Sequence, residues 1–247
     1  MNDSHLTPRV VFVHGAGGGG WEWAVWMRVF VAQGLRVSAP DLLAAPAGLA
    51  ATSFDHYRAQ VVSWCRPLSA KDSASVVLVG ASLGGLLAMA VAAEVGAQAL
   101  LLINPLPPDG FSGTHPAAAY PAIIPWARER SLAGTRKAMP DADDAARLFA
   151  WRHWRDESGL ALGQARQGVA IEPPCCPILV MASEGDEDVP ETLSRALAVN
   201  YRADYRCLPN SSHLGPLLGR QAAGIAERGA DWLKDLLPQT HEAPAKA

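Results

Sequence analysis

The segment Gly80-Ala81-Ser82-Leu83-Gly84 sets a serine between glycines. It stands where an apolar strand-like run, VVLV, gives way to an apolar helix-like run beginning at Leu83. A turn this tight forces its central residue into a strained conformation and demands small neighbours, the pattern of a G-x-S-x-G nucleophile elbow. A serine hydroxyl is a poor nucleophile at neutral pH, so a base has to take its proton. His213, in LPNSSHLGP, is a residue that can do so. An imidazole needs a carboxylate to fix its tautomer and to stabilise its charged form. Asp186, in the acidic turn SEGDEDVP, is placed for that. An oxyanion formed at the attacked carbonyl needs two preorganised N–H donors. Leu83 N–H, at the start of a helix, supplies one. Ala16 or Gly17, in HGAGGGGW, supplies the other. Each residue also has a plain reading: Ser82 as a helix cap, His213 as a satisfied histidine, the acidic turn as a solvated one. Together they make an acyl-transfer constellation.

These residues have to be brought together by strand ends. Strands are expected at 9–13, 36–39, 76–80, 99–103, 177–182 and 204–208, and helices at 21–33, 54–66, 83–95, 190–199 and 219–237. The alternation predicts right-handed crossovers and a mostly parallel six-stranded sheet with helices on both faces. Ligands bind beyond the carboxyl ends of such strands. There the chain delivers the glycine-rich loop, Ser82, the acidic turn and His213. The alternation breaks once, between 104 and 176, too long a stretch for a crossover loop. It opens rich in proline, turns helical, and carries Trp126, Trp151 and Trp154. We expect a helical lid there, with these tryptophans either packing it onto the body or lining a substrate pocket. The expected organisation is a core of 1–103 and 177–238, a lid at 104–176, and a loose tail at 239–247.

The 247 residues are enough for one large α/β domain, and 49% apolar with 18% charged suits a well-buried one. A net charge of −3 gives no support for nucleic acid or an anionic membrane as partner. No signal-peptide pattern opens the chain and no apolar run is long enough to span a bilayer. Cys65, Cys175, Cys176 and Cys207 lack zinc-like spacing, so the expectation is reduced, buried thiols in a cytoplasmic protein. No metal or organic cofactor is implied.

The pieces VFVHGAG, APDL, LVGASLGG, PILVMASEGDEDVP and LPNSSHLGP, in that order, resemble the α/β-hydrolase superfamily along nearly the whole chain. The order Ser82, Asp186, His213 is the one this fold uses. The resemblance implies Ser82 as nucleophile, Asp186 as acid and His213 as base, with Asp41 of APDL structural. Two departures stand out. Only eight residues precede Arg9, so the family's leading antiparallel pair is expected to be missing and a minimal six-stranded sheet is expected. Ser183 takes the place of the glycine usual before the acid. Serine at the elbow excludes the aspartate-dependent dehalogenases and epoxide hydrolases by resemblance, and Leu214 replaces the lysine of plant-type hydroxynitrile lyases. What remains foremost is hydrolysis of a carboxylic ester of a small to medium, largely apolar substrate through an acyl-enzyme. Thioesters and carbon–carbon bonds are the alternatives on the same fold. Two other classes compete. Gly15-x-Gly17-x-x-Gly20 with Asp41 formally matches a dinucleotide fingerprint, but that reading leaves the serine, acid and histidine without roles. A hydrolase-like receptor without turnover is the other.

Overall fold

The computed structural model describes residues 8–67, 74–111 and 120–236. Eight strands run through them: β1 (Arg9–Val13), β2 (Arg36–Ser38), β3 (Val76–Ala81), β4 (Ala99–Ile103), β5 (Ile123–Ile124), β6 (Glu157–Ser158), β7 (Ile178–Ser183) and β8 (Asp204–Leu208). Six of them form one sheet in the order β2-β1-β3-β4-β7-β8, every neighbouring pair parallel. The expected "mostly parallel" sheet is therefore parallel throughout the described residues. The central strands are continuous apolar runs because both faces are covered. Alternate residues go to opposite sides. Val11, Leu78, Leu100 and Val180 enter one core, and Val10, Val77, Leu101 and Leu179 the other. The edge strand β8 is largely exposed and carries Asp204 and Arg206, which discourages pairing with another chain.

The helices of the body are α1 (Ala24–Ala32), α2 (Phe54–Cys65) and α3 (Leu83–Val91). Between β4 and β7 lies an insertion with α4 (Leu132–Ala138), α5 (Asp144–His153), α6 (Gly159–Gln167) and the antiparallel β5–β6 pair. The body resumes with α7 (Glu191–Asn200), α8 (Gly215–Leu218) and α9 (Ala222–Leu236). Helix α1 with Trp26 and Phe30, and α9 with Ile225, Ala226 and Leu233, cover one face of the sheet. Helices α2, α3 and α7 cover the other.

All six main strands fall within a residue or so of their expected places. Helix boundaries differ more. A 3-10 turn over Gly20–Trp23 precedes α1, and α3 stops at Val91 because the chain unwinds toward Gly96 at φ 61°. The expected helix at 219–237 starts at Ala222 after a separate short α8, since Gly219 is extended and breaks the two apart. The tail at 239–247 lies outside the described residues. The thiols correct one expectation: all four are free, but only Cys65 is buried. Cys207 lies on the exposed edge strand, and Cys175 in the loop before β7, where neither side chain has a core to enter.

Candidate active site

Ser82 is the residue between β3 and α3, and its backbone is left-handed at φ 53°. A non-glycine residue in that region is uncommon, and one in an over-determined turn is strain held by its surroundings. The surroundings are the glycines: a Cβ on Gly80 would drive into the Gly84 carbonyl, and one on Gly84 into the carbonyls of Val13 and His14. The start of α3 thus packs directly on the end of β1. Ser82 N–H donates to Ile103 O at 3.0 Å, and Ser82 O accepts from Leu106 N–H at 3.0 Å. Its side chain caps nothing, which removes the helix-cap reading. Leu83 N–H, at the first position of α3, has no intrahelical acceptor to reach.

His213 Nδ1 pairs with Asp186 Oδ2 at 2.7 Å. The Asp186 side chain is fully buried, and His213 retains 14% exposure. Asp186 Oδ1 accepts the N–H groups of Asp188 and Val189, each at 2.8 Å. Its two oxygens are therefore assigned, one to the backbone and one to the imidazole. Asp186, Asp188 and His213 also bring one ligand atom each within 4.8 Å of one another. That cluster is the acid–histidine pair with an exposed neighbour, and both Asp186 oxygens already have donors.

Asn104, at φ 45° directly after β4, ties the site together. Its Nδ2 donates to Ser183 Oγ (2.9 Å) and to His213 O (2.8 Å), and its Oδ1 accepts Ser183 N–H (2.7 Å). Ser82 and His213 are thus both anchored to the consecutive residues Ile103 and Asn104, although the two side chains share no hydrogen bond here. Ser183, in place of the family's usual glycine, is a buried partner in this network. Asp141, from the insertion, accepts Ser212 N–H at 3.0 Å and Ser212 Oγ–H at 2.6 Å, gripping the residue before His213.

The glycine-rich loop is ringed by acids. Gly17 N–H donates to Glu157 Oε2 at 2.9 Å, and Gly20 N–H to Asp41 Oδ1 at 2.7 Å. Gly18 N–H turns back to Gly15 O at 3.3 Å. The Glu22 carboxyl lies against the loop, with an oxygen close to where a Gly18 Cβ would stand. Of the two expected loop donors, Gly17 is thus committed elsewhere, and Ala16 N–H has no acceptor among the described residues. Asp41 also lies 3.7 Å from the Arg155 guanidinium. Gly15 lies beside the elbow: a Cβ on it would stand 3.3 Å from Ser82 Cβ. His14 is locked as well, with Nδ1 on Gly15 O (2.8 Å) and Nε2 accepting Leu42 N–H (2.9 Å).

Two of these groups titrate far from their ordinary values. Burial pushes the Glu22 carboxyl up from 4.5 to about 8, against the pull of the Gly15 and Gly19 N–H groups. Burial pushes the His14 imidazole down from 6.5 to about 4. Between pH 4.5 and 8 the folded state holds a Glu22 proton that the unfolded chain has lost, so stability falls as pH rises. For His14 the unfolded chain binds the extra proton between pH 4 and 6.5, so stability falls as pH drops. The two slopes oppose each other up to pH 6.5, and above it Glu22 acts alone. We expect the protein to lose about 2 kcal/mol through Glu22 between roughly pH 6.5 and 8. Glu22→Gln removes that slope. Chemical denaturation of both proteins across this window measures it, and parallel slopes would refute the assignment.

Among the three tryptophans, Trp126 reaches the loop: its ring lies where a Gly17 Cβ would be, and it is 41% exposed. Trp154 packs edge-on against Trp21 and donates to Thr135 Oγ1 at 2.9 Å. Trp151 lies beneath the Arg130 guanidinium. Both are engaged in packing of the insertion. Sequence reasoning missed Glu22, Asn104, Asp141 and Glu157. Asn104 follows a strand end, where the search for polar groups could have stopped. Glu22, flanked by two tryptophans, stood out as an acid in an apolar stretch.

A family model described as "Alpha/beta hydrolase family" matches residues 10–228. No curated protein matches in sequence. Solved structures are similar in fold at low identity. A methylesterase from Arabidopsis has a TM-score of 0.70 at 16% identity, over 92% of this chain and 100% of its own. A pyrethroid hydrolase from Sphingobium faniae has a TM-score of 0.68 at 19% identity, over 93% and 96%. Tomato methylketone synthase I, complexed with 2-tridecanone, has a TM-score of 0.70 at 14% identity, over 94% and 100%. With a match that spans most of its length, and with the parallel sheet and serine-bearing turn just described, the chain belongs to the alpha/beta hydrolase family.

Proposed function

We propose that this protein is a serine hydrolase that cleaves a carboxylic ester of a small to medium, largely apolar substrate through an acyl-enzyme. The observation that carries the reading is the buried Asp186–His213 pair, anchored through Asn104 to the same strand end as the strained Ser82. In this mechanism His213 Nε2 takes the Ser82 proton while Oγ attacks the carbonyl carbon. The oxyanion is met by Leu83 N–H and Ala16 N–H. Collapse expels the alcohol, which receives the proton from His213. Water, deprotonated by His213, then attacks the acyl carbon and frees Ser82 and the acid. Asp186 holds the imidazole with Nδ1 as the donor throughout, so that Nε2 is free to accept. The insertion serves as a cap, and the exposed Trp126 beside the glycine-rich loop fits an apolar acyl or alcohol group. Free thiols at Cys175, Cys176 and Cys207 suit a cytoplasmic, reducing setting.

A panel of p-nitrophenyl esters and acyl-CoA thioesters of graded chain length tests this reading. We expect turnover of the short and medium p-nitrophenyl esters, and covalent labelling of Ser82 by a fluorophosphonate. Preference for the acyl-CoA series would make the enzyme a thioesterase. Absence of labelling would refute the nucleophile.

A further inference from the structure

We propose that Glu157, carried by the insertion, is a positioning residue for the oxyanion hole: it holds the Gly17 peptide so that Ala16 N–H, and not Gly17 N–H, is presented to the developing charge. This rests on the serine-hydrolase reading above. The insertion takes hold of Gly17 by both of its backbone groups. Gly17 N–H donates to Glu157 Oε2 at 2.9 Å, and Gly17 O accepts from Arg155 N–H at 2.8 Å. Gly17 is at φ 69°, a left-handed conformation that depends on what surrounds it.

The carboxylate is itself fixed. Glu157 Oε1 accepts the Tyr57 hydroxyl from α2 and the Ser158 N–H, each at 2.6 Å. Glu157 is 4% exposed. Burying an acid for packing alone makes poor sense, because an apolar side chain of similar size fills space without the desolvation cost. Three donors converge on this carboxylate, and one belongs to the loop that borders Ser82. An ionised carboxylate forms the stronger, shorter kind of hydrogen bond, suited to holding a peptide still.

Elimination along the loop gives the same answer. From Gly15 to Gly20, the N–H groups of Gly17, Gly18 and Gly20 are bonded. Of the two candidates for the loop donor, Ala16 and Gly17, only Ala16 keeps an N–H without an acceptor among the described residues. The loop would be a promiscuous nest of donors for anions if all its N–H groups were free. The acids withdraw Gly17 and Gly20 from it.

Glu157→Gln isolates this role in the full-length protein. An amide has a single acceptor oxygen. Tyr57 and Ser158 together claim that oxygen, so the amide N–H₂ confronts Gly17 N–H and pushes the peptide away. We expect kcat for p-nitrophenyl butyrate to fall about 10- to 100-fold with KM nearly unchanged, less than the loss from deleting an oxyanion donor outright. Affinity for a trifluoromethyl ketone, whose hemiketal oxyanion fills the hole, should fall in proportion to kcat/KM. An unchanged kcat, or a fall in kcat with undiminished ketone affinity, overturns the proposal. Amide hydrogen exchange on the wild-type protein decides the case if the variant fails to fold. Gly17 N–H is expected to be protected in the free enzyme, and Ala16 N–H only once the ketone is bound. Rapid exchange at Gly17 in the free enzyme overturns the proposal. A wild-type protein that takes no fluorophosphonate at Ser82 overturns the hydrolase reading along with it. A labelled wild type with an unaffected Glu157→Gln variant overturns this inference alone.

Discussion

Replacing Ser82 with alanine will lower kcat for p-nitrophenyl butyrate by roughly 10⁴- to 10⁶-fold and leave the fold unchanged. The hydroxyl caps no helix, and the strained backbone at φ 53° is held by Ser82 N–H and O rather than by the side chain. Stability should therefore stay close to that of the wild type. Chemistry should not, because the acyl-enzyme has no other nucleophile to form on. What survives is the contribution of substrate binding and of the oxyanion donors, which act without the serine. Single-turnover assays with purified Ser82→Ala, alongside a denaturation curve, separate the two effects. Turnover near the wild-type rate would refute the mechanism.

The second large effect is expected at Asp186. Asp186→Asn should lower kcat roughly 10³- to 10⁴-fold. The geometry dictates the sign. Oδ1 is bound by the N–H groups of Asp188 and Val189 at 2.8 Å each, so an asparagine must place its carbonyl oxygen there. Its N–H₂ is then left facing His213 Nδ1, across what was a 2.7 Å bond. That favours the tautomer with the proton on Nε2, where it cannot accept from Ser82. Glu184 instead accepts Asn210 N–H at 3.2 Å, a bond a glutamine can also make. Glu184→Gln and the exposed Asp188→Asn should retain most of the activity. Crippling by Glu184→Gln with a mild Asp186→Asn would move the acid to Glu184.

The six main strands were legible because each is a short apolar run with both faces buried, a signal carried by its own residues. Ser82 and its glycines were legible for a similar reason: the turn's steric demands are met within five positions. Asp186 and His213 could be paired because both follow strand ends, and parallel sheets gather such ends at one edge. The two-residue strands β5 and β6 were not legible, since neither is long enough to show a period. The acids that the insertion sends to the glycine-rich loop and to the histidine turn were hidden for a different reason. Glu157 meets Gly17 from 140 positions away, and Asp141 meets Ser212 from 71, through an insertion whose path leaves no local pattern. Cys175 and Cys207 were misjudged because a residue type's average burial says little at an edge strand or a loop.

β4 and β7 lie side by side in the sheet, although one ends at Ile103 and the other begins at Ile178. The entropy of closing a loop grows only logarithmically with its length, so this detour costs about 1 kcal/mol more than an ordinary crossover of some twenty residues. By that measure the core tolerates wide variation in the length of the insertion, and a lineage could remodel that segment while leaving the open sheet and its strand ends alone. The ties set the terms of such remodelling. Asp141 grips the residue before His213, so an exchanged segment that omits this acid also frees the histidine-bearing turn. A transplanted insertion is therefore modular in length but not in its anchoring points.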